Sequence, residues 1–388
     1  MYRSDAVPET AQSAPVHHTA HIRFSGSGSE YFRIWIVNML LLLVTLGLYW
    51  PWAKVRRLRY FWGNTLVDGD PLGFHGNPRQ MFKGWALMAV LFALYNWASN
   101  FSAVAGIVAF VLLAGLWPAL WRSSMRFRMA NTSWRGLRLR FAGSSRDAYA
   151  AILPPLLISL LLVVVISFAP KKGEGPTPDW VAGAALITML LMVGALPWGL
   201  WRMKAYQHRH YALGPLQTDF RASLKSFYAL ALKPLLLMLS VFAAVGLLVW
   251  VLASAGGDTR AALKPLLRWA PVLVLLFWGL LMFGMGPWLT TRLQNLVWTK
   301  TGNAQLRFIS RLSFRRMFAL SLKNGLLIGL TLGLYWPFAA VAKARLRLEA
   351  VQIRSATDLQ NLLAAAHDDP QEAAGEAAGD FFGLDVGL

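Results

Sequence analysis

Long apolar runs alternate with short basic stretches along this chain. Eight runs, at 32–52, 82–98, 101–121, 149–169, 180–201, 227–253, 267–289 and 317–341, approach the roughly 20 apolar residues that cross about 30 Å of hydrocarbon. The pattern predicts an all-α polytopic membrane protein with about eight transmembrane segments. The run at 82–98 is the shortest, with Lys83 at its start and Asn96 near its end. Residues 1–21 form a polar tail without an apolar signal region, so the first span is expected to direct its own insertion.

Charge orients these runs. The connectors 53–80, 122–147, 202–225 and 292–316 carry five, seven, five and six bases against two, one, one and no acids. The alternate connections are poor in charge (96–100), balanced (170–179) or mildly basic (253–268). The four basic connectors are therefore expected in the cytoplasm.

Self-comparison reveals an internal repeat. Thr45-Leu-Gly-Leu-Tyr-Trp-Pro51 recurs letter for letter from Thr331 to Pro337, and the same offset aligns Asn38 with Asn324 and Arg59 with Arg345. A proline flanked by tryptophan closes an apolar run at Pro51, Pro118, Pro197, Pro287 and Pro337. A phenylalanine follows 23 residues later at Phe74, Phe141 and Phe220, and 21 residues later at Phe308. Eight residues past Phe24, Phe74, Phe141 and Phe220 stands another aromatic, whereas Phe308 and Phe318 are ten apart. The chain thus divides into a 1–21 tail, a 22–354 membrane domain and a 355–388 acidic tail. The membrane domain holds five units, about 24–73, 74–140, 141–219, 220–307 and 308–354.

Short cytoplasmic β-hairpins are expected in the connectors. Asp68-Gly69, Arg135-Gly136 and Lys300-Thr-Gly-Asn303 are turn sequences between alternating residues, and residues 20–26 would add one strand before the first span. The alternative is unpaired basic loops. The end units pose a topological conflict, because only 19 residues separate Phe32 from Pro51 and Phe318 from Pro337. One full crossing each is the favoured reading, although it sets their basic ends on opposite sides. The alternative is a segment that dips in and returns, bending near Gly47 and Gly333.

Composition narrows the function classes. The chain has 388 residues, 56% hydrophobic and 14% charged, with mean hydropathy +0.45, where soluble domains carry about 25% charge. Eighteen Trp, 22 Phe and no Cys exclude disordered and disulfide-scaffold classes, and with them thiolate metal sites. Net charge is +20, and seven acids without a base lie in the last 34 residues, so the first 354 carry +27. Bases in loops beside apolar runs point to anionic lipid headgroups as partners rather than nucleic acid. His17, His18 and His21 sit in the polar tail and His208 and His210 in a basic connector, without carboxylate companions, so no metal site is expected. Neither a catalytic motif nor a cofactor fingerprint is present, and an enzyme is not expected.

The residues singled out are those of the repeated motif: Asn38, Thr45, Gly47, Tyr49, Trp50, Pro51 and Lys54, with Asn324, Thr331, Gly333, Tyr335, Trp336 and Pro337 in the second copy. Lys83, Lys233 and Lys323 lie one to five residues past an aromatic that opens a span, where they would meet headgroups or an anion. Gly325, Gly329 and Gly333 form a small-residue stripe suited to helix packing. No Asp or Glu falls inside a predicted span, which argues against a proton- or cation-coupled carrier.

Thr45-Leu-Gly-Leu-Tyr-Trp-Pro-Trp-Ala-Lys-Val-Arg56 followed by Arg59-Tyr-Phe-Trp-Gly-Asn-Thr65 resembles the bacterial YjgN-like family of inner-membrane proteins. The likeness covers about residues 22–354, with a family-like acidic end at Gly379–Leu388. The second copy reads Pro337-Phe-Ala-Ala340, so Lys54 has no counterpart there. The resemblance implies a bacterial inner-membrane location and no particular chemistry.

The expected function is a transporter or channel-like protein for an unidentified, anionic or amphipathic solute. The alternative is a membrane scaffold or lipid-interacting protein using its basic cytoplasmic face. The charge pattern makes a topological prediction: reporters fused after residues 98 and 175 should report the outer compartment, and one at residue 135 the cytoplasm. An outward-facing residue 135 would overturn the orientation.

Overall fold

A computed structural model describes residues 18–170, 175–254 and 268–356, apart from residues 270, 273, 274, 276 and 278. The acidic tail beyond 356 and residues 255–267 lie outside the described residues.

Helices come in pairs, and strands join one pair to the next. Strand β1 (His18–Phe24) leads into α1 (Gly28–Val44) and α2 (Trp50–Gly63), then β2 (Thr65–Val67) and β3 (Asp70–Phe74). Next come α3 (Pro78–Phe101) and α4 (Ala103–Ala130), β4 (Thr132–Trp134) and β5 (Leu137–Phe141), then α5 (Ser145–Ser167) and α6 (Asp179–Arg209). The short β6 (Tyr211–Leu213), β7 (Leu216–Gln217) and β8 (Asp219–Phe220) precede α7 (Leu224–Ser254). A π-helical turn (Leu280–Met285) runs into α8 (Gly286–Thr299), followed by β9 (Thr301–Gly302), β10 (Leu306–Ser310), α9 (Phe314–Leu330), α10 (Trp336–Leu348) and β11 (Val351–Ser355).

All eleven strands belong to one antiparallel sheet, in the order β7-β6-β5-β4-β3-β2-β1-β11-β10-β9-β8. This corrects the all-α expectation: the connectors are not separate hairpins but one continuous layer. The edge strands β7 and β8 are separated only by Thr218, so the sheet curls until its edges meet. Thr218 secures the seam: its N–H donates to the Tyr211 carbonyl at 2.8 Å, and its hydroxyl donates to the His208 carbonyl at 2.7 Å. Asn303 Nδ2 donates across it to the Gln217 carbonyl at 3.0 Å. Asp68-Gly69 and Arg135-Gly136 turn their hairpins with positive φ (54° and 89°, 49° and 85°), the geometry that follows the twist of the strands. Inside the curl, Ala20, Val67, Trp134, Leu137 and Ile353 form an apolar core that Ile22, Leu72, Leu213, Leu306 and Phe308 complete.

The strand β11 was not expected from sequence, yet it joins the two halves of the sheet by pairing with both β1 (His18↔Ser355) and β10 (Leu306↔Ser355). Each of Pro51, Pro118, Pro197, Pro287 and Pro337 is followed fourteen positions later by the first residue of a strand: Thr65, Thr132, Tyr211, Thr301 and Val351. The fifth connector now falls into line with the others. Phe308 is not the counterpart of Phe74, because the residue that ends β10 is Ser310, 23 positions past Pro287 and eight before Phe318. Seven residues past each strand end stand Tyr31, Met81, Ala148, Phe227 and Met317, all at most 2% exposed. Burying the large ones contributes about 1.5–3 kcal/mol each.

The end units do not cross as single helices. After α1, Leu46 and Gly47 take φ of 49° and 90°, and after α9, Leu332 and Gly333 take 49° and 94°, which turns the chain back. The Tyr60 hydroxyl donates to the Ser27 carbonyl at 2.7 Å, bringing the end of α2 beside the start of α1. β1 before the turn pairs with β2 after it, and β10 pairs with β11 in the same way. The favoured full crossing is thus replaced by a helical hairpin, and both ends of it return to the sheet. This removes the charge conflict, since all the basic connectors share that layer. Among the described residues four helices, α4 to α7, are long and apolar enough to cross a membrane. Helix α3, with Arg79, Gln80, Lys83, Asn96 and Asn100, is not among them.

Where a strand gives way to the next helix a backbone carbonyl is buried, and a side chain from a neighbouring returning helix claims it. Arg345 Nη2 donates to Gly26 (2.7 Å), Arg59 Nη2 to Gly76 (3.4 Å) and Arg122 Nε to Gly143 (2.7 Å). Trp201 Nε1 donates to Ala222 (2.8 Å) and Asn295 Nδ2 to Leu312 (2.9 Å). Gly143 must be glycine, because a Cβ would strike the Phe141 ring and the Tyr206 hydroxyl at 2.6 Å. Arg122→Met should cost about 1–3 kcal/mol, the penalty for orphaning a buried acceptor. Thermal unfolding in detergent should show it, and an unchanged midpoint would refute the clamp.

Candidate functional site

The repeated heptapeptide builds the same turn twice. Thr45 Oγ1 donates to the Leu41 carbonyl (2.6 Å) and accepts the Tyr49 N–H (3.1 Å); Thr331 repeats this with Leu327 (2.6 Å) and Tyr335 (2.9 Å). Tyr49 and Tyr335 are the N-caps of α2 and α10, and Trp-Pro occupies the first two helical positions in both. Pro51 and Pro337 are fully buried, while Leu46 and Leu332 at the tips are 92% and 95% exposed. Such bare leucines suit an apolar medium.

Asn38 and Asn324 are both 7% exposed and reach across their hairpins. Asn38 Oδ1 accepts from Arg56 Nη1 at 3.2 Å, whereas Asn324 Nδ2 donates to the Ala339 carbonyl at 3.5 Å. Trp50 carries the Lys54 ammonium 4.5 Å from its ring centroid, and Arg57 lies 5.6 Å from the Trp336 ring. Lys83, Lys233 and Lys323 are exposed, each on a different helix. Of the glycine stripe, only Gly325 makes a close approach, to the Phe283 ring; Gly329 and Gly333 face open space.

A different set of cations converges. Lys54, Arg128 and Lys204 are half-buried on the returning helices α2, α4 and α6, while Lys343 and Arg347 lie on α10. They stand three, ten, seven, six and ten residues past their prolines, and three, seven and ten mark one face of a helix. Lys54 is repelled by Arg128, and Arg347 repels both Lys204 and Lys343. Polar and sulfur contacts link the group. Lys204 Nζ donates to Gln207 Oε1 (2.9 Å), and Gln207 Nε2 and Arg128 Nη2 both reach Met125 Sδ (3.5 and 3.7 Å). Arg347 Nε donates to Gln294 Oε1 at 2.7 Å. Among the described residues the acids paired to bases are Asp68 and Asp70 with Arg135, and Asp219 with Arg209, none of them in this cluster.

Burial pushes the Lys54 ammonium down to about 8, and Arg128 adds to the effect. Burial likewise lowers Lys343 and Arg347, with Arg347 opposing the charge on Lys343. Both side chains are nevertheless exposed, whereas Lys54, Arg128 and Lys204 are half-buried. Half-buried Tyr211 in β6 is pushed up to about 12 by desolvation, with the nearby Arg128 partly opposing the shift. Several desolvated cations without a counter-charge are costly, and they make a receptive place for an anion. Of this set only Lys54 was singled out from the sequence as a candidate site residue; the spacing of the other bases from the prolines was the signal that would have grouped them with it.

Apolar helices standing on a closed basic sheet, with unpaired cations between, define a polytopic membrane protein. The chain belongs to the family described as "Bacterial protein of unknown function (DUF898)", whose model matches residues 19–381. It is similar to Inner membrane protein YjgN of Salmonella typhimurium, 29% identical over 156 residues, which is 39% of this chain and 40% of that protein. The Escherichia coli K12 protein of the same name is 27% identical over 187 residues, 47% of this chain and 46% of the relative. The matches thus span less than half of each relative. No solved structure matches. The chain is a bacterial inner-membrane protein.

The depressed Lys54 has a measurable consequence. Its folded value lies below its unfolded one, so from pH 8 to 10 the unfolded state holds more protons and stability should rise. Lys54→Met should reduce that rise, the similarly lowered Lys343 keeping part of it; identical pH profiles of unfolding midpoint for both proteins would contradict it.

Proposed function

We propose that this protein moves an anionic solute through the membrane, as a transporter or gated channel-like assembly of five related helical hairpins. One observation carries the reading: Lys54, Arg128, Lys204, Lys343 and Arg347 approach one another without a carboxylate, between apolar helices and sheet. Five like charges are held near each other only at a cost, which an anion entering the recess would offset. The five-unit origin is supported by the matched proline-to-strand spacing and the five carbonyl clamps. The apolar core inside the sheet closes the path below the cluster, so passage requires movement of Trp134 and Leu137 or a route around them.

That same plug favours a second reading, a lipid-interacting scaffold whose cation recess holds a headgroup without passing anything. Proteoliposomes loaded with radiolabelled phosphate or sulfate separate the two. Efflux above protein-free vesicles, reduced at least tenfold by Lys204→Gln, supports the first reading. No efflux of either anion, with the Lys204→Gln protein indistinguishable from wild type, leaves only the scaffold.

A further inference from the structure

A second cation site lies away from this recess, on the flank of the first helical hairpin. A cavity of about 150 Å³ opens between α2 and the start of α3, lined by Tyr49, Trp52, Val55, Arg56, Arg59 and Pro78. Its walls are preorganised. The ring planes of Tyr49 and Trp52 lie 15° apart with centroids at 6.0 Å, and Trp52 leans on Phe82 at 5.7 Å. Both arginines are held from behind: Arg56 by buried Asn38 at 3.2 Å, and Arg59 by the Gly76 carbonyl at 3.4 Å. These tethers are neutral acceptors, no carboxylate lines the cavity, and each guanidinium keeps further donors free.

We infer that this pocket binds a phosphate group, two arginine forks meeting its oxygens against an aromatic wall. Arginine is suited to this task because its planar fork matches phosphate in two-point contact, which a lysine cannot do. The place also fits a lipid phosphate. The bare tip of the same hairpin, with Val44 and Leu46 at 82% and 92% exposure, carries one end of α2 into apolar surroundings, and its basic residues follow immediately. A membrane phosphodiester and free inorganic phosphate share the required chemistry. The assignment does not depend on solute passage.

Asn38, which the sequence repeat singled out, acquires a specific role here. In the second copy Ala342 stands where Arg56 would be, and Asn324 Oδ1 is left without a partner. The pocket is therefore built in the first hairpin and not in the last.

The test uses the full chain in detergent, with lipid binding read by native mass spectrometry. Phosphatidylglycerol should be retained and phosphate-free monoolein should not, and Arg56→Gln should weaken phosphatidylglycerol at least fivefold. Arg56→Lys keeps the charge but not the fork and should also weaken it. Arg292→Gln, a base outside the pocket, should leave it unchanged. A separate titration with inorganic phosphate identifies the source: binding lost in Arg56→Gln without any lipid retention keeps the pocket and assigns it to soluble phosphate. Equal retention of phosphatidylglycerol by wild type and Arg56→Gln, both folded by circular dichroism, would overturn the site, as would binding of neither probe.

Discussion

Closure of the sheet is the constraint on which the other features depend. An open sheet edge at a membrane boundary would leave a row of N–H and C=O groups to find other partners. The chain avoids this by pairing its first described strand with its last, β1 with β11, and by splitting one strand at Thr218 so that its halves serve opposite neighbours. Once the ring closes, every helix pair must start and finish on it. The side-chain clamps at Gly26, Gly76, Gly143, Ala222 and Leu312 satisfy the carbonyls left where strand gives way to helix. Arg345 and Glu349 lock the ring where the ends meet: Arg345 donates to the Phe24 and Gly26 carbonyls, and Glu349 accepts the Phe24 N–H at 3.3 Å.

Above the ring, apolar surface is turned outward. Leu46, Leu332, Val44 and Leu330 are 80% exposed or more, and the window of each spanning helix is at most 17% buried within the protein. This is the reverse of a soluble fold, where such residues would be drawn inward. Below, the order is conventional, with β1 alternating buried Ala20 and Phe24 against exposed His21 and Arg23. The boundary between the two regimes is marked by aromatic rings and basic side chains, as in the Lys54–Trp50 and Arg202–Trp198 contacts.

The cations at that boundary serve distinct ends. Arg59, Arg122 and Arg345 neutralise backbone acceptors, and Arg135 joins two hairpin turns through Asp68 and Asp70. Lys54, Arg128, Lys204, Lys343 and Arg347 meet no carboxylate among the described residues, although Lys204 and Arg347 donate to the amides of Gln207 and Gln294. A stable fold would gain by replacing them with apolar residues. It is this cost on which the proposed binding of an anion rests.

The membrane class, the pairing of Asn38 and Arg59 with Asn324 and Arg345, the four basic connectors and the turn positions Asp68-Gly69 and Arg135-Gly136 were all legible in the sequence. They rest on local rules: apolar run length, letter-for-letter recurrence and residues tolerant of positive φ. The register of the fifth connector was not, because a phenylalanine at Phe308 mimicked the spacing while Ser310 held the structural position. The hairpin form of the end units was legible only as the less favoured alternative, bending near Gly47 and Gly333. Nineteen residues fit a crossing by length, and whether Gly47 and Gly333 end the helix or ride within it depends on what receives the chain afterwards. Strands β2 and β11 receive it, β2 by pairing with β1 ahead of its hairpin and β11 with β10 ahead of its own, while β11 also pairs with β1 from the far end of the chain, as in His18↔Ser355. The cation cluster has the same origin: its members come from four helices, and only their packing onto one closed sheet brings them within reach of each other.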